Sequence, residues 1–316
     1  MAMNAAHPDG VTSMAVVVNG ETVRGISLID PVTDTAIGPF LQDLLGDAGT
    51  ELLDCVVTPD GKTAIVSNFS AQRLFFIDVG TIPPSLLGSV SLPISAEDLA
   101  LTSDGRFVLA TDGRGSSGFF TLIIVSVDVA TRTVVGQFSS FGFFAAQSVA
   151  ITSDNRTVVT TDSDGGFITP FQLNSNGTFG MGTSTGTLSF DRPVNVAVAP
   201  DGKTGVVCNL SGTSMEIIRI DSSTQTVSSI GRVLDLPGGQ QGAVFTPDGT
   251  KVLVLSVSPS LDQLAILEVR GSGFIMDTGQ RVRLLSDLTS SFFGVDVIAV
   301  TPDGTKAYIG NAGTGR

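Results

Sequence analysis

The chain has no tryptophan, one tyrosine, one histidine and two cysteines among its 316 residues. These shortages leave carboxylates, arginine, serine, threonine and backbone amides as the available chemical equipment. The histidine, His7, lies in a turn far from any candidate site, which argues against a Ser-His-Asp mechanism. Cys55 and Cys208 show no metal-type spacing and sit inside apolar strands at different positions of the repeat described below, so buried free thiols are expected. Positive charge is also scarce, with 17 Lys and Arg against 30 Asp and Glu for a net charge of −13. No cluster of five basic residues interrupts that excess, so phosphate backbones and anionic lipid are repelled, and neither nucleic acid nor a membrane is an expected partner. Long apolar runs are missing as well. Phe119 to Val125 falls well short of the roughly 20 residues of a membrane helix. The first six residues carry no basic region and no apolar segment, so no signal peptide is expected in the given chain, which leaves either the cytoplasm or export with a signal already removed. No stretch over ten residues keeps a 3.6-residue apolar period, so helix should be minimal.

What the chain has in quantity is glycine, 37 residues of it, together with 42% hydrophobic content, enough for a large core in one domain spanning 1–316. It also has a repeat. Thr-Pro-Asp-Gly or a near copy recurs with its turn near 8–10, 59–61, 103–105, 153–155, 200–202, 247–249 and 302–304, the copies lying 44 to 55 residues apart. A period of that size indicates a solenoid or propeller. Proline presets the first turn position, aspartate bonds its own backbone and glycine accepts positive φ, so each copy should join two antiparallel strands, A and B. A second device, Asp30-x-x-Thr33-x-Thr35, repeats at Asp128 and Asp221 and should cap a turn between strands C and D. Four short antiparallel strands per unit, repeated radially, describe an all-β β-propeller. The first unit reads as B (Ser13 to Asn19), C (Arg24 to Asp30) and D with no strand A, and the last as A (Val295 to Val300) and B (Lys306 to Asn311). Incomplete first and last blades leave a seam, and an unclosed edge there offers a route to self-association.

The repeat also serves as a ruler. Six or seven residues before each turn aspartate lie Asp54, Glu97 with Asp98, Gln147 with Ser148, Asn195, Gln241 and Asp296, at the start of otherwise apolar innermost strands. Eight residues after it lie Asn68, Asp112, Asp162, Asn209, Ser256 and Asn311. The second ring is expected to cap the turn from B to C. The first borders one mouth of the central channel, where it either holds ordered water or forms a ligand site from Asp54, Glu97, Gln147, Asn195 and Gln241. A metal set of Asp54, Asp98, Asn195 and Asp296 would suit Ca²⁺ or another divalent cation on the channel axis, because hard cations take oxygen ligands.

The segments Pro59 to Asn68, Pro200 to Asn209 and Pro302 to Asn311 resemble the YVTN-type repeat of the seven-bladed propellers that include surface-layer-like proteins and lactonases related to 6-phosphogluconolactonase. The resemblance implies seven blades, with six left open by the strand count. It also implies a hydrolase acting on a lactone or small ester at the channel mouth, with Arg192 contacting the oxyanion and Asp98 or Asp296 activating water. The bland role for Arg192 is a rim salt bridge with Asp191 or Glu97. The alternative function is a non-catalytic propeller binding a protein or carbohydrate, since one propeller hosts many activities. Other motifs are weak. Gly182 to Gly186 fits Gly-x-Ser-x-Gly with no following helix, Gly113 to Gly118 fits a dinucleotide fingerprint but leads into a strand, and Asp162 to Gly165 resembles half a calcium loop.

Overall fold

A computed structural model describes residues 2–3, 14–18, 25–43, 45, 51–112, 121–141, 146–185, 190–257, 263–284 and 298–310. Six sheets carry four or more strands, and a seventh has two. The first blade is β1 (Ala2–Met3), β2 (Ala15–Val18), β3 (Ile26–Asp30) and β4 (Thr35–Phe40). The second is β5 (Leu52–Val57), β6 (Thr63–Asn68), β7 (Arg73–Asp78) and β8 (Ser85–Ser91). The third is β9 (Asp98–Leu101), β10 (Phe107–Thr111), β11 (Thr121–Asp128) and β12 (Thr133–Phe141), and the fourth β13 (Ala146–Ile151), β14 (Thr157–Asp162), β15 (Phe167–Leu173) and β16 (Phe179–Met181). β17 (Thr183–Thr185) then leads to the fifth blade, β18 (Pro193–Val198), β19 (Thr204–Asn209), β20 (Met215–Asp221) and β21 (Thr226–Val233). The sixth is β22 (Gly239–Phe245), β23 (Lys251–Val257), β24 (Gln263–Arg270) and β25 (Phe274–Arg283), and the seventh sheet is β26 (Ile298–Val300) with β27 (Ala307–Ile309). Among the described residues the only helix is a single 3₁₀ turn, Gly271–Gly273.

The burial pattern follows from radial stacking. Middle strands face a neighbouring blade on both sides, so all six residues of β14 and of β19 are buried. Outermost strands meet water, and β8 alternates exposed with half-buried residues along its length. The core is accordingly divided into slabs between successive blades. One joins Val16, Ile26 and Leu28 to Cys55, Val66 and Phe75, while another joins Val206, Cys208 and Ile217 to Val252, Val254 and Leu267. Both cysteines are buried and free, as expected.

The turn chemistry matches the sequence reading. In blade two the Thr58 hydroxyl donates to Asp60 Oδ1 at 2.6 Å and accepts the Thr63 amide at 3.0 Å, and Asp60 also accepts the Lys62 amide. Thr152, Thr246 and Thr301 repeat the hydroxyl-to-aspartate bond. Blade five has Ala199 instead, and there Asp201 takes the Thr204 hydroxyl. Gly61, Gly105, Gly202, Gly249 and Gly304 hold φ between +65° and +71°. Blade four uses Asn155 at φ +59°, and its side chain gains a bond from the Ser103 amide of blade three. Asp30, Asp128 and Asp221 cap the turn from C to D as expected.

One expectation changes. The first unit does have a strand A, because β1 pairs with β2 and completes that sheet; a two-residue strand is too short to show a period in sequence. In keeping with the weak motif match at Gly182 to Gly186, β17 (Thr183–Thr185) runs parallel to β21 as an added edge strand on blade five. The Gly113 to Gly118 match lies outside the described residues, as does the His7 turn. The two-stranded sheet fits between blades six and one, with β26 packed against β22 and β1. Across this seam Lys306 donates to Asp34 at 2.8 Å and the Tyr308 hydroxyl donates to the same carboxylate at 2.7 Å.

Burial, and then the bond to Asp34, raise the Tyr308 hydroxyl to about 12. As the only tyrosine in a chain without tryptophan, it reports on the seam directly. We expect its alkaline absorbance titration to lie near 12 in the wild type and to move down toward about 10 in Asp34→Asn; an identical titration in the two proteins would show that the seam is not closed by this contact. In the turns, Thr102→Ala should lower the unfolding free energy by about 1–2 kcal/mol, because its hydroxyl accepts the Phe107 amide at 2.9 Å in a buried setting. Urea denaturation measures that loss.

Candidate functional site

The innermost strand of every blade has one edge on the central channel, where no further strand can pair with it. Its amides therefore need acceptors from elsewhere. In blades two to five the acceptor is the side chain six residues before the turn aspartate, which reaches forward to the next blade. Asp54 Oδ2 accepts the Leu99 amide at 2.9 Å, and Asp98 Oδ2 accepts the Val149 amide at 2.8 Å. Ser148 Oγ accepts the Val196 amide at 3.3 Å, and Asn195 Oδ1 accepts the Ala243 amide at 3.0 Å. At the same position blade six has Gly242.

The residue one place earlier plays a different part. The register breaks between Ala146 and Ser148 and between Gln240 and Gly242, so Gln147 and Gln241 are the extra residues of β-bulges. The bulge frees an amide of the innermost strand, which a hydroxyl on strand B takes up. Ser67 Oγ accepts the Asp54 amide at 2.9 Å, and Thr161 Oγ1 accepts that of Ser148 at 3.1 Å. Glu97 precedes β9, half-buried, with its amide on the Thr111 carbonyl at 2.9 Å. These hydroxyls were missed in sequence because Cys208 and Leu255 replace them in later blades.

Of the proposed site residues, the structure brings Asp54 and Asp98 together. Their carboxyls lie close enough to influence one another, and Ser148 also acts on Asp98. Asp54 is buried at 5% exposure and Asp98 is half-buried. Burial, and next the repulsion of Asp54, push Asp98 well above the usual carboxylate range against the pull of Val149 and Ser148. Burial also raises Asp54, opposed by the amides of Cys55 and Leu99. The pair thus holds a proton to higher pH than an ordinary aspartate.

The other candidates are dispersed. Asn195 is two blades from Asp98 and commits its carbonyl to Ala243. Arg192 is exposed at φ +57° immediately before β18 and enters no ion pair among the described residues, so the expected rim salt bridge is not found there. Asp296 and Asn311 lie outside the described residues. No group of three or more His, Cys, Asp or Glu close enough to hold a metal occurs among the described residues. Three members of the second polar ring cap the turn from B to C, while the Ser256 hydroxyl is buried without a partner among the described residues. Asn68 accepts the Ala71 amide, Asp162 accepts that of Gly165, and Asn209 donates to the Ser214 carbonyl.

No protein-family model matches the chain, and no curated protein sequence does. Solved structures do. A protein of unknown function from Desulfotomaculum acetoxidans superposes with a TM-score of 0.77 at 21% identity, over 94% of this chain and 88% of that one. A protein provisionally named a 6-phosphogluconolactonase, from Bacteroides uniformis, gives 0.65 at 14% identity over 90% and 85%. The hydrazine synthase of Kuenenia stuttgartiensis gives 0.61 at 19% over 81% and 72%. At these identities the likeness is one of fold, the β-propeller.

A carboxyl whose pKa is raised by folding stabilises the native state at low pH and loses that contribution as the pH climbs from its unfolded value through its folded one. Asp98→Asn keeps an acceptor for Val149 and removes the ionisation. The variant should match the wild type in stability near pH 4 and exceed it by pH 8, measured as thermal midpoints across that range. A gap that stays constant with pH would contradict the protonated pair.

Proposed function

We propose that this propeller hydrolyses a lactone or small ester at the mouth of its channel, with Asp98 as the proton-transfer group. The observation that carries the reading is the proximity of two carboxyls at the only place in the described ring where consecutive positions are both acidic. Ser148 and Asn195 make the same bond to the next blade without charge. Structure alone therefore does not call for a second carboxylate beside the first, and a like-charged buried pair is costly to keep. Such pairs are typical of acid and base catalysis.

Hydrolysis of a lactone adds water to the carbonyl carbon and breaks the ring C–O bond. Protonated Asp98 would give its proton to the departing alkoxide oxygen, and the resulting carboxylate would recover one from the water that has become the new acid. Asp54, held by two amides, would fix the orientation of Asp98 beside it. Arg192, exposed at the start of β18, supplies a guanidinium suited to a substrate carboxylate or developing oxyanion. The provisional lactonase name of one structural neighbour is consistent with this chemistry. The second reading is a non-catalytic propeller that binds a protein or carbohydrate. It is favoured by the fact that Asp54, Asp98, Ser148 and Asn195 each already spend an acceptor on the neighbouring blade.

A panel of lactones and aryl esters, assayed with and without EDTA, separates the two. We expect turnover that falls by about 10²–10⁴ in Asp98→Asn, the usual size of a general acid or base contribution, and a raised KM in Arg192→Ala. Activity unaltered by Asp98→Asn would remove this site from the mechanism, and no turnover across the panel would leave the binding reading.

A further inference from the structure

The seventh sheet is half a blade. Among the described residues it holds β26 and β27 alone, whereas each of the first six sheets carries at least two further strands outside its second. In blades two to six the carbonyl two places after the turn aspartate accepts an amide from the third strand, as Lys62 does from Val79 and Thr250 from Val269. The equivalent carbonyl in the last sheet is that of Thr305, and no amide of the described residues reaches it. The Thr301 amide bonds the Lys306 carbonyl, so by the alternation of an antiparallel pair the amides and carbonyls of Ala307 and Ile309 point away from β26. No described strand takes them. β27 is accordingly exposed or half-buried along its length, where the equivalent strands β14 and β19 are buried at every residue.

The gap outside β27 has two apolar walls. Leu264 and Ile266 of blade six pack toward the seventh sheet, and opposite residues of an antiparallel pair share a face. Val282, the register partner of Leu264, therefore faces the gap, and it is 46% exposed. On the other side stands Ile29 of blade one. It is half-buried, while Ile77, at the same place in blade two and turned toward blade one, is fully buried. The turns between third and fourth strands agree with this. Asp34 and Arg132 hold the same left-handed position in blades one and three. Arg132 reaches the outer strands of the preceding blade, donating to the Leu87 carbonyl at 2.7 Å with its guanidinium over the Phe76 ring. Asp34 finds no such strands and bonds Lys306 and Tyr308 instead.

We propose that the outer half of the seventh blade is an interaction surface that takes a β-hairpin of a basic partner polypeptide, added antiparallel to β27. Two missing strands leave a slot about 10 Å deep, which a hairpin fills and a single strand does not. A second copy carries its own β27 at the bottom of an equal slot, so the two edges cannot meet. Asp34 at the place where blade three has Arg132, together with the net charge of −13, favours Lys or Arg near the turn of the hairpin. Ladder bonds to Thr305, Ala307 and Ile309 would supply affinity, and the walls would select alternating apolar side chains. The surface stands independently of any hydrolase activity, because Asp98 belongs to blade three.

A synthetic hairpin with the sequence of residues 215–233, the third and fourth strands of blade five, is the probe, together with its Ser223→Lys form, which adds a cation in the turn. Calorimetric titration of the full chain should show saturable one-to-one binding of both, at least threefold tighter for the Ser223→Lys peptide at low ionic strength. Hydrogen exchange at the Ala307 and Ile309 amides should slow at least tenfold on saturation. Ala307→Pro removes an outward donor without touching a bond to β26, and Val282→Asp places a charge on the wall. Each should weaken binding at least tenfold, and Val134→Asp on blade three should leave it unchanged. Val282 is exposed, so its variant should fold, and it carries the test alone where circular dichroism shows Ala307→Pro unfolded. The proposal is overturned by the absence of saturable binding, by wild-type affinity in the folded variants, or by unaltered exchange at Ala307 and Ile309. Equal affinity for the two peptides would overturn the basic character of the partner. A dimer of the chain that dissociates in Val282→Asp would assign the slot to a second copy and overturn the partner reading.

Discussion

The structure depends on how the channel-facing edges of its innermost strands are satisfied. In a sheet a strand finds partners on both sides, but at the axis of a propeller the strand has none on the inner side, and an unpaired buried amide costs about 1–3 kcal/mol. Each described blade from two to five answers with one side chain, six residues before the turn, that accepts an amide of the blade ahead. The bond is short-range, yet it spans 45 to 51 residues of sequence. It therefore fixes the rotation from blade to blade at the same point where it lines the channel mouth. The β-bulge beside it follows from the same demand, since turning that side chain forward disrupts the pairing with strand B and leaves an amide for Ser67 or Thr161.

This arrangement joins architecture to chemistry. Any short acceptor can perform the bond, and the chain uses Asp, Asp, Ser and Asn in successive blades. Two carboxyls in succession then meet, and burial makes them retain a proton. Elsewhere in the molecule aspartates are shifted the other way. The turn residues Asp248 and Asp303 are lowered to about 2, by the hydroxyls of Thr246 and Thr301 first and then by turn amides and Thr250 or Thr305. One residue type thus serves two roles on the two rims, decided by whether its neighbours donate hydrogen bonds to it or bury it away from water.

Much of the fold was legible in the sequence because the repeat is local. Thr-Pro-Asp-Gly makes its turn from bonds within six residues, so Thr58, Asp60 and Gly61 announce themselves at any position in the chain. The Asp-x-x-Thr-x-Thr turns are local in the same way, and so is the capping by Asn68 and Asp162. The site was legible only as a register. Counting back from the turns reached Asp54, Asp98 and Asn195, but it could not separate them from Gln147 and Gln241, because the bulge that distinguishes the two positions is a property of pairing between strands. β1 escaped notice for a related reason. Two residues carry no pattern, and their assignment to the first blade rests on their pairing with β2.

The sequence by itself determined the unit: four short strands, the two turn types, the spacing between copies and hence the propeller. Those features are encoded by hydrogen bonds and backbone preferences within a few residues. Only the tertiary structure decided what the polar ring does, which of its members meet, and that Lys306 and Tyr308 close the ring on Asp34 some 270 residues away. Those outcomes depend on which blades become neighbours and how far each is rotated. Packing between blades sets that geometry, and no single repeat contains it.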